Sequence, residues 1–192
     1  MEIKKEKIIP VAVSADTAWR FMENLDAVAA CFPGAAITQK IDDNKFNGTV
    51  TVKIGPVTST FNGILEIRER NAATRTLIAV GSGGDRASRA TVELHAAVAE
   101  TGPGTAAVAG KTTVNVTGKL VSVAGRMIGT VADKLIEEFA KNFADRVKTF
   151  DNAQTQAQPH GPERPQNLNL LSTLFGAFWA RLKALMRLHA EK

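Results

Sequence analysis

Residues 120–150 read LVSVAGRMIGTVADKLIEEFAKNFADRVKTF, and the period of this stretch decides the architecture. Leu120, Ala124, Met127, Ile128, Val131, Leu135, Phe139, Phe143 and Val147 recur three and four residues apart, so one long helix would carry them on a single face. Asp133, Glu137 and Glu138 fall beside Lys134 and Lys141, with Glu137 and Lys141 spaced as an ordinary (i, i+4) pair, which describes a solvated side. A helix that is apolar on one side and charged on the other is a cover for something else.

What it covers lies upstream, where the period changes from helix to strand. Phe46, Gly48, Val50, Val52 and Ile54 alternate with Asn47, Thr49, Thr51 and Lys53, then Gly55-Pro56 turns the chain. Phe61, Gly63, Leu65 and Ile67 continue the alternation on the return. Further strands are expected over Thr74 to Val80, over Ala90 to Val98 beyond the glycine-rich run Gly81-Ser82-Gly83-Gly84-Asp85, and over Val108 to Val116 beyond Thr101-Gly102-Pro103-Gly104. Turns this short cannot carry parallel crossovers, so the sheet is antiparallel. Gly48, Gly63 and Gly110 mark bends in it or leave volume over it.

The chain opens with a strand through Ile8, Ile9, Val11 and Val13. Ser14 then caps a helix bearing Ala18, Trp19, Phe21 and Met22, with Asp16 in its first turn. Asn24 and Asp26 interrupt that helix before a second short one, which Pro33-Gly34 closes. The order is an α+β fold in which a curved antiparallel sheet wraps a long C-terminal helix, with a natural cavity between them. Phe21, Phe32, Val50, Val52, Phe61, Leu65, Met127, Val131 and Leu135 are the candidates for lining it. A core filled by the same side chains is the competing reading.

This domain is expected over residues 1–150. Residues 151–167 hold Gln, Pro, His and Gly but nothing apolar larger than Ala, the composition of a tether that three prolines keep extended. Residues 168–192 then read as an amphipathic helix. Leu168, Leu171, Leu174, Phe175, Phe178, Trp179, Leu182, Leu185 and Met186 fall within an arc of roughly 140° at about 100° per residue. Arg181, Lys183 and Arg187 lie outside the arc, and no Asp or Glu opposes them between Leu168 and Ala190. Anionic lipid headgroups favour that pattern, with the helix lying in the interface because its cations interrupt any span. A protein partner or the helix's own domain could take the same stripe.

The 192 residues suit one domain with an appendage, and the net charge of +5 points to acidic partners. The cations are dispersed and aromatics are few outside the tail and core, which argues against nucleic acid. A lone Cys31 excludes an internal disulfide, and the charged opening Met1 to Pro10 lacks a secretory core, so a cytoplasmic location is expected. The glycine run at Gly81 fits no phosphate-loop pattern, and His95, His160 and His189 lack metal-ligand spacing. Cys31 has no nucleophile motif around it and reads as a small buried thiol. No carboxylate pair can be assigned acid and base roles.

A series of short runs, in a fixed order, carries a family likeness. Val11-Ala12-Val13-Ser14-Ala15-Asp16-Thr17-Ala18-Trp19 opens it, and Cys31-Phe32-Pro33-Gly34 follows the paired helices. Phe46-Asn47-Gly48 with Val52-Lys53-Ile54-Gly55-Pro56 comes next, and Gly118-Lys119-Leu120 enters the long helix. Over residues 1–150 the chain resembles the CoxG family, the G subunit of aerobic carbon monoxide dehydrogenase, in the START-like or SRPBCC superfamily. The resemblance implies a helix-grip fold with a hydrophobic cavity and no covalently bound cofactor. It implies a non-enzymatic, peripheral protein at the cytoplasmic face of the inner membrane. There it would recruit a molybdenum-containing carbon monoxide dehydrogenase, or a related hydroxylase, and bind a lipophilic molecule such as ubiquinone or menaquinone to couple electron transfer to the respiratory chain. A cyclase- or hydrolase-type START-like enzyme and a ligand-free assembly factor are the alternatives.

Overall fold

The computed structural model of the chain describes residues 1–157, so the tail and most of the expected tether lie outside the described residues. Strand β1 (Glu2–Val11) leads to helix α1 (Ala15–Glu23), whose first turn is capped by Ser14: its hydroxyl accepts the Thr17 N–H at 3.1 Å. Asn24 ends α1 and begins α2 (Leu25–Ala29), where its side-chain oxygen accepts the Ala27 N–H. One residue thus breaks the helix and restarts it, as the sequence suggests.

Six strands follow: β2 (Ala35–Lys40), β3 (Lys45–Ile54), β4 (Val57–Asn71), β5 (Thr76–Gly84), β6 (Ser88–Gly102) and β7 (Thr105–Gly118). All seven form one antiparallel sheet in the order β1-β7-β6-β5-β4-β3-β2, a meander closed at one edge by the first strand. Gly48, Gly63 and Gly83 stand in register on β3, β4 and β5. A Cβ on Gly63 would collide with the Ser82 carbonyl oxygen, and one on Gly48 would sit 2.9 Å from the Ala36 carbonyl oxygen. These are bends that side chains would block, and they curl the sheet.

Helix α3 (Lys119–Ala157) crosses the concave face. Its entry is fixed by Gly118 at φ 89°, by the Lys119 N–H on the Ala87 carbonyl, and by the Leu120 N–H on the Ser88 hydroxyl at 3.0 Å. Its closest approaches to the sheet are to β1 and β7 on one side and β3 on the other.

Three boundaries differ from the sequence reading. Strand β2, AAITQK, carries no clear pattern because only alternate residues are half-buried at its start and the rest is exposed. The glycine run 81–84 is the end of β5, paired residue by residue with β4 and β6, and the turn falls at Asp85, where the carboxylate accepts the Ala87 and Ser88 N–H groups. Helix α3 continues to Ala157, into the stretch expected as tether, since DNAQTQA has nothing to stop a helix before Pro159.

The core falls into two clusters. The larger joins Trp19, Phe21 and Met22 of α1 to Ile67, Leu77, Ala96 and Val98 of the sheet and to Phe143 and Val147 of α3. Phe21 stands edge-on to Phe143 at 5.1 Å and to Phe150 at 5.5 Å. The smaller joins Leu120, Ala124 and Ile128 of α3 to Ile3, Ile54 and Val116. Cys31 is 0% exposed in the larger cluster, its thiol on the Ala27 carbonyl and its own carbonyl held by Asn142 of α3. Burial pushes this thiol up to about 11, only partly offset by the Arg146 guanidinium. It stays protonated at neutral pH and is packing, not a nucleophile.

Two outcomes are expected. Phe143→Ala should cost about 3–5 kcal/mol in urea unfolding, against about 0.5 kcal/mol or less for Val123→Ala on the exposed side of the same helix. Iodoacetamide at pH 8 should leave Cys31 unmodified in the folded chain and modify it fully in urea; fast alkylation of the folded form would contradict its burial.

Candidate functional site

Strand register assigns the concave face. Phe46, Val50, Val52 and Ile54 on β3 share it with Phe61, Leu65 and Ile67 on β4, through the pairs Phe46↔Leu65 and Val50↔Phe61. It continues across Gly81 on β5, Val92 and Leu94 on β6, and Thr112 and Val114 on β7. Toward the two ends of this face the side chains are buried. Between them Val50, Val52, Phe61, Leu65, Val92, Leu94 and Val114 are only half-buried, as are Val131, Leu135 and Phe139 on α3. Apolar side chains that face a covering helix yet keep partial exposure line a groove that solvent enters. The helix is packed at both ends, with its closest approaches to β1, β7 and β3.

Gly81 lets the Val92 side chain lean across β5, where a Cβ would stand 2.6 Å from it. The charged groups on the concave face come from β1, where Lys5 and Lys7 pair in register with Thr112 and Gly110. Lys5 reaches Asp133 of α3 at 2.6 Å, a tie between strand and helix along the groove's edge. Both partners are partly exposed, so its net worth is about 0.2–1 kcal/mol. The other shifted groups lie away from the groove. Asp43 is lowered first by its hydrogen bond from Lys40, and Asp85 first by the Ala87 N–H, both at exposed turns. Among the described residues no three His, Cys, Asp or Glu gather to hold a metal.

The sequence candidates separate into three sets. Val50, Val52, Phe61 and Leu65 share the concave face and are half-buried, as are Val131 and Leu135 of α3; Val52, Phe61 and Val131 pack against the smaller cluster and Leu65 against the larger. Phe21 and Phe32 lie at its closed end: Phe21 is buried among aromatic rings, and Phe32 meets Phe139 at 6.2 Å. Met127 is 45% exposed and rests over the β3–β4 turn at Gly55, outside the groove. The groove residues missing from the sequence candidates are Val92, Leu94 and Val114, whose alternation is visible in the sequence, and Lys5 with Asp133, whose pairing only the fold reveals. His95, on the outer face, meets Glu93 at 2.6 Å. Leu171, Leu174, Phe175, Phe178, Trp179, Arg181, Leu182, Lys183 and Arg187 lie outside the described residues.

Two shallow depressions mark the convex face, one lined by Ile64, Glu66, Val80, Ser82 and Thr91 and one by Thr38, Asn47, Thr49 and Asn62. Both are open and of mixed polarity.

Solved structures share this architecture. A conserved protein from Geobacillus kaustophilus superposes with a TM-score of 0.68 at 16% identity, over 77% of this chain and 96% of that one. A START superfamily protein from Mycobacterium smegmatis gives 0.56 at 20% identity, over 76% and 97%. The Zhui aromatase/cyclase of Streptomyces gives 0.52 at 12% identity, over 82% and 97%. At these identities the likeness is one of fold, the START-like helix grip. A comparison with curated protein sequences finds no match. The family model for CoxG, the G subunit of carbon monoxide dehydrogenase, matches residues 9–148, from the last residues of β1 to the C-terminal half of α3 that closes the larger core cluster. The chain belongs to the CoxG family of carbon monoxide dehydrogenase.

Proposed function

We propose that this protein is a non-enzymatic accessory of a molybdenum-containing carbon monoxide dehydrogenase or related hydroxylase, holding a lipophilic ligand in the groove between sheet and α3. The observation that carries this reading is the half-buried apolar strip between two closed clusters. Its exposed apolar surface gains about 25 cal/mol for each Å² that a ligand covers. A five-carbon isoprene unit is worth about 4 kcal/mol at about 0.8 kcal/mol per buried carbon, so a prenylated quinone suits the walls better than a polar substrate does. Lys5 and Lys7 at the edge supply the N–H donors that a quinone carbonyl accepts. The family supports the dehydrogenase as partner. The basic, aromatic composition of residues 168–192 supports recruitment to the cytoplasmic face of the membrane, where such a ligand is dissolved.

Purified protein incubated with vesicles containing ubiquinone or menaquinone, then separated and extracted, should carry quinone at near one per chain by mass analysis. Leu135→Trp and Val50→Trp, which fill the groove, should each lower that uptake at least fivefold with little change in melting temperature. Absence of quinone from the wild-type protein, or undiminished uptake by both variants, would refute the carrier reading and leave the assembly-factor role.

Removal of residues 168–192 should move the protein from the membrane to the soluble fraction while α3 and the sheet keep their circular dichroism. Phe178→Asp with Trp179→Asp should act in the same direction, because charge on the apolar arc opposes insertion. Unchanged membrane partition in both would remove the tail from the mechanism.

A further inference from the structure

One end of the sheet gathers the β3–β4 turn, the β5–β6 turn and the start of α3. The β5–β6 turn is tied to the helix by Lys119 N–H on the Ala87 carbonyl. The β3–β4 turn meets the helix where Gly55 lies beneath Met127. On the outer side of α3, Lys119, Val123, Arg126 and Met127 follow the (i, i+4, i+7, i+8) spacing of a single stripe. Val123 is 57% exposed and Met127 45%, the largest apolar exposures on this helix among the described residues. Pro56 beside them is exposed as well.

Cations surround this lip. Lys53, Arg86, Arg89, Lys119 and Arg126 are all exposed at or near this end. The carboxylates are engaged: Asp85 is held by the Ala87 and Ser88 N–H groups, and Glu2 faces Lys4 at 2.9 Å. An exposed apolar ridge of flexible side chains inside a ring of lysine and arginine is complementary to an anionic bilayer, where the ridge meets acyl chains and the cations meet phosphates. The opposite end of the sheet, with α1 and α2, packs most of its apolar residues into the larger cluster and leaves Ile41 alone exposed in the β2–β3 turn, with no second apolar side chain beside it on a helix.

We propose that this end of the folded domain is a second, weaker membrane-docking surface, with Val123, Met127 and Pro56 entering an anionic lipid interface once the C-terminal segment has brought the chain there. Docking in this way brings the β3–β4 turn and the start of α3 to the lipid, with Val52, Phe61 and Val131 packed against the closed cluster behind them. The docking does not rest on the carrier reading.

The chain has a single cysteine, fully buried, so an introduced one can be spin-labelled selectively in the full-length protein. Nitroxides at Val123→Cys and Met127→Cys should become more accessible to oxygen than to a water-soluble nickel chelate when vesicles of phosphatidylglycerol and phosphatidylcholine are added. A label at Thr101→Cys, at the opposite end, should stay aqueous. Lys53→Ala and Arg126→Ala should each weaken vesicle partition about fivefold, the scale for one cation near an anionic surface. Labels at Val123 and Met127 that stay aqueous on bound protein would overturn the proposal, assigning binding to the tail or the patch to an acidic protein. Absence of vesicle binding, or equal partition onto pure phosphatidylcholine, would overturn it too. Docked labels on a protein that takes up no quinone would uphold the docking and refute the carrier reading.

Discussion

Everything functional in this domain depends on how α3 is seated. Phe143 and Val147 lock its C-terminal half to α1 and the far end of the sheet, and Leu120, Ala124 and Ile128 lock its N-terminal half to Ile3, Ile54 and Val116. Between these anchors the helix crosses a sheet in which Gly48, Gly63 and Gly83 stand in register. Two packed ends and a curved middle are a way of leaving apolar surface unsatisfied without losing the fold. The closed clusters supply the burial that stability requires, so the middle is free to wait for a ligand.

Polar chemistry is placed at the edges of this arrangement. Lys5 and Asp133 tie β1 to the helix beside the groove, and Lys7 follows on the same face. The thiol of Cys31 is protonated and buried under α2, and the acids with lowered pKa sit in turns, Asp43 on the Lys40 ammonium and Asp85 on backbone N–H groups. The ligand proposed above, with a long apolar body and an oxygenated head, matches this division. The aromatase/cyclase shares only the fold with this chain, and a common scaffold says nothing about the groups mounted on it.

The elements legible in the sequence are those whose burial follows one clean period. Residues 120–150 and the β3–β4 hairpin announce themselves because one face is inside and the other outside along their whole length. Met127 shows where that logic stops. It lies on the apolar stripe as counted, but α3 crosses the sheet obliquely, so the inward face rotates from Leu120 and Ile128 toward Phe143 and Val147 and leaves Met127 at the side. Phe21 errs the other way: its aromatic partners Phe143 and Phe150 are far along the chain, so sequence alone does not show that they enclose it. Strand β2 is illegible because an edge strand with few buried residues needs no pattern, and the glycine run of β5 because its pairing comes from Arg89 to Val92 on the following strand. The Lys5–Asp133 pair joins the two ends of the domain's sequence and leaves no local signal.

The most direct measurement is methyl-resolved NMR of the full chain titrated with a short-chain ubiquinone. If the groove is the binding site, shifts and intermolecular contacts will gather on the methyls of Val50, Leu65, Val92, Val131 and Leu135. Those of Val11, Val98 and Val147 in the closed cluster will barely move. Shifts confined to the convex face around Ile64 and Val80, or none at saturating quinone, would contradict a ligand site between the sheet and α3.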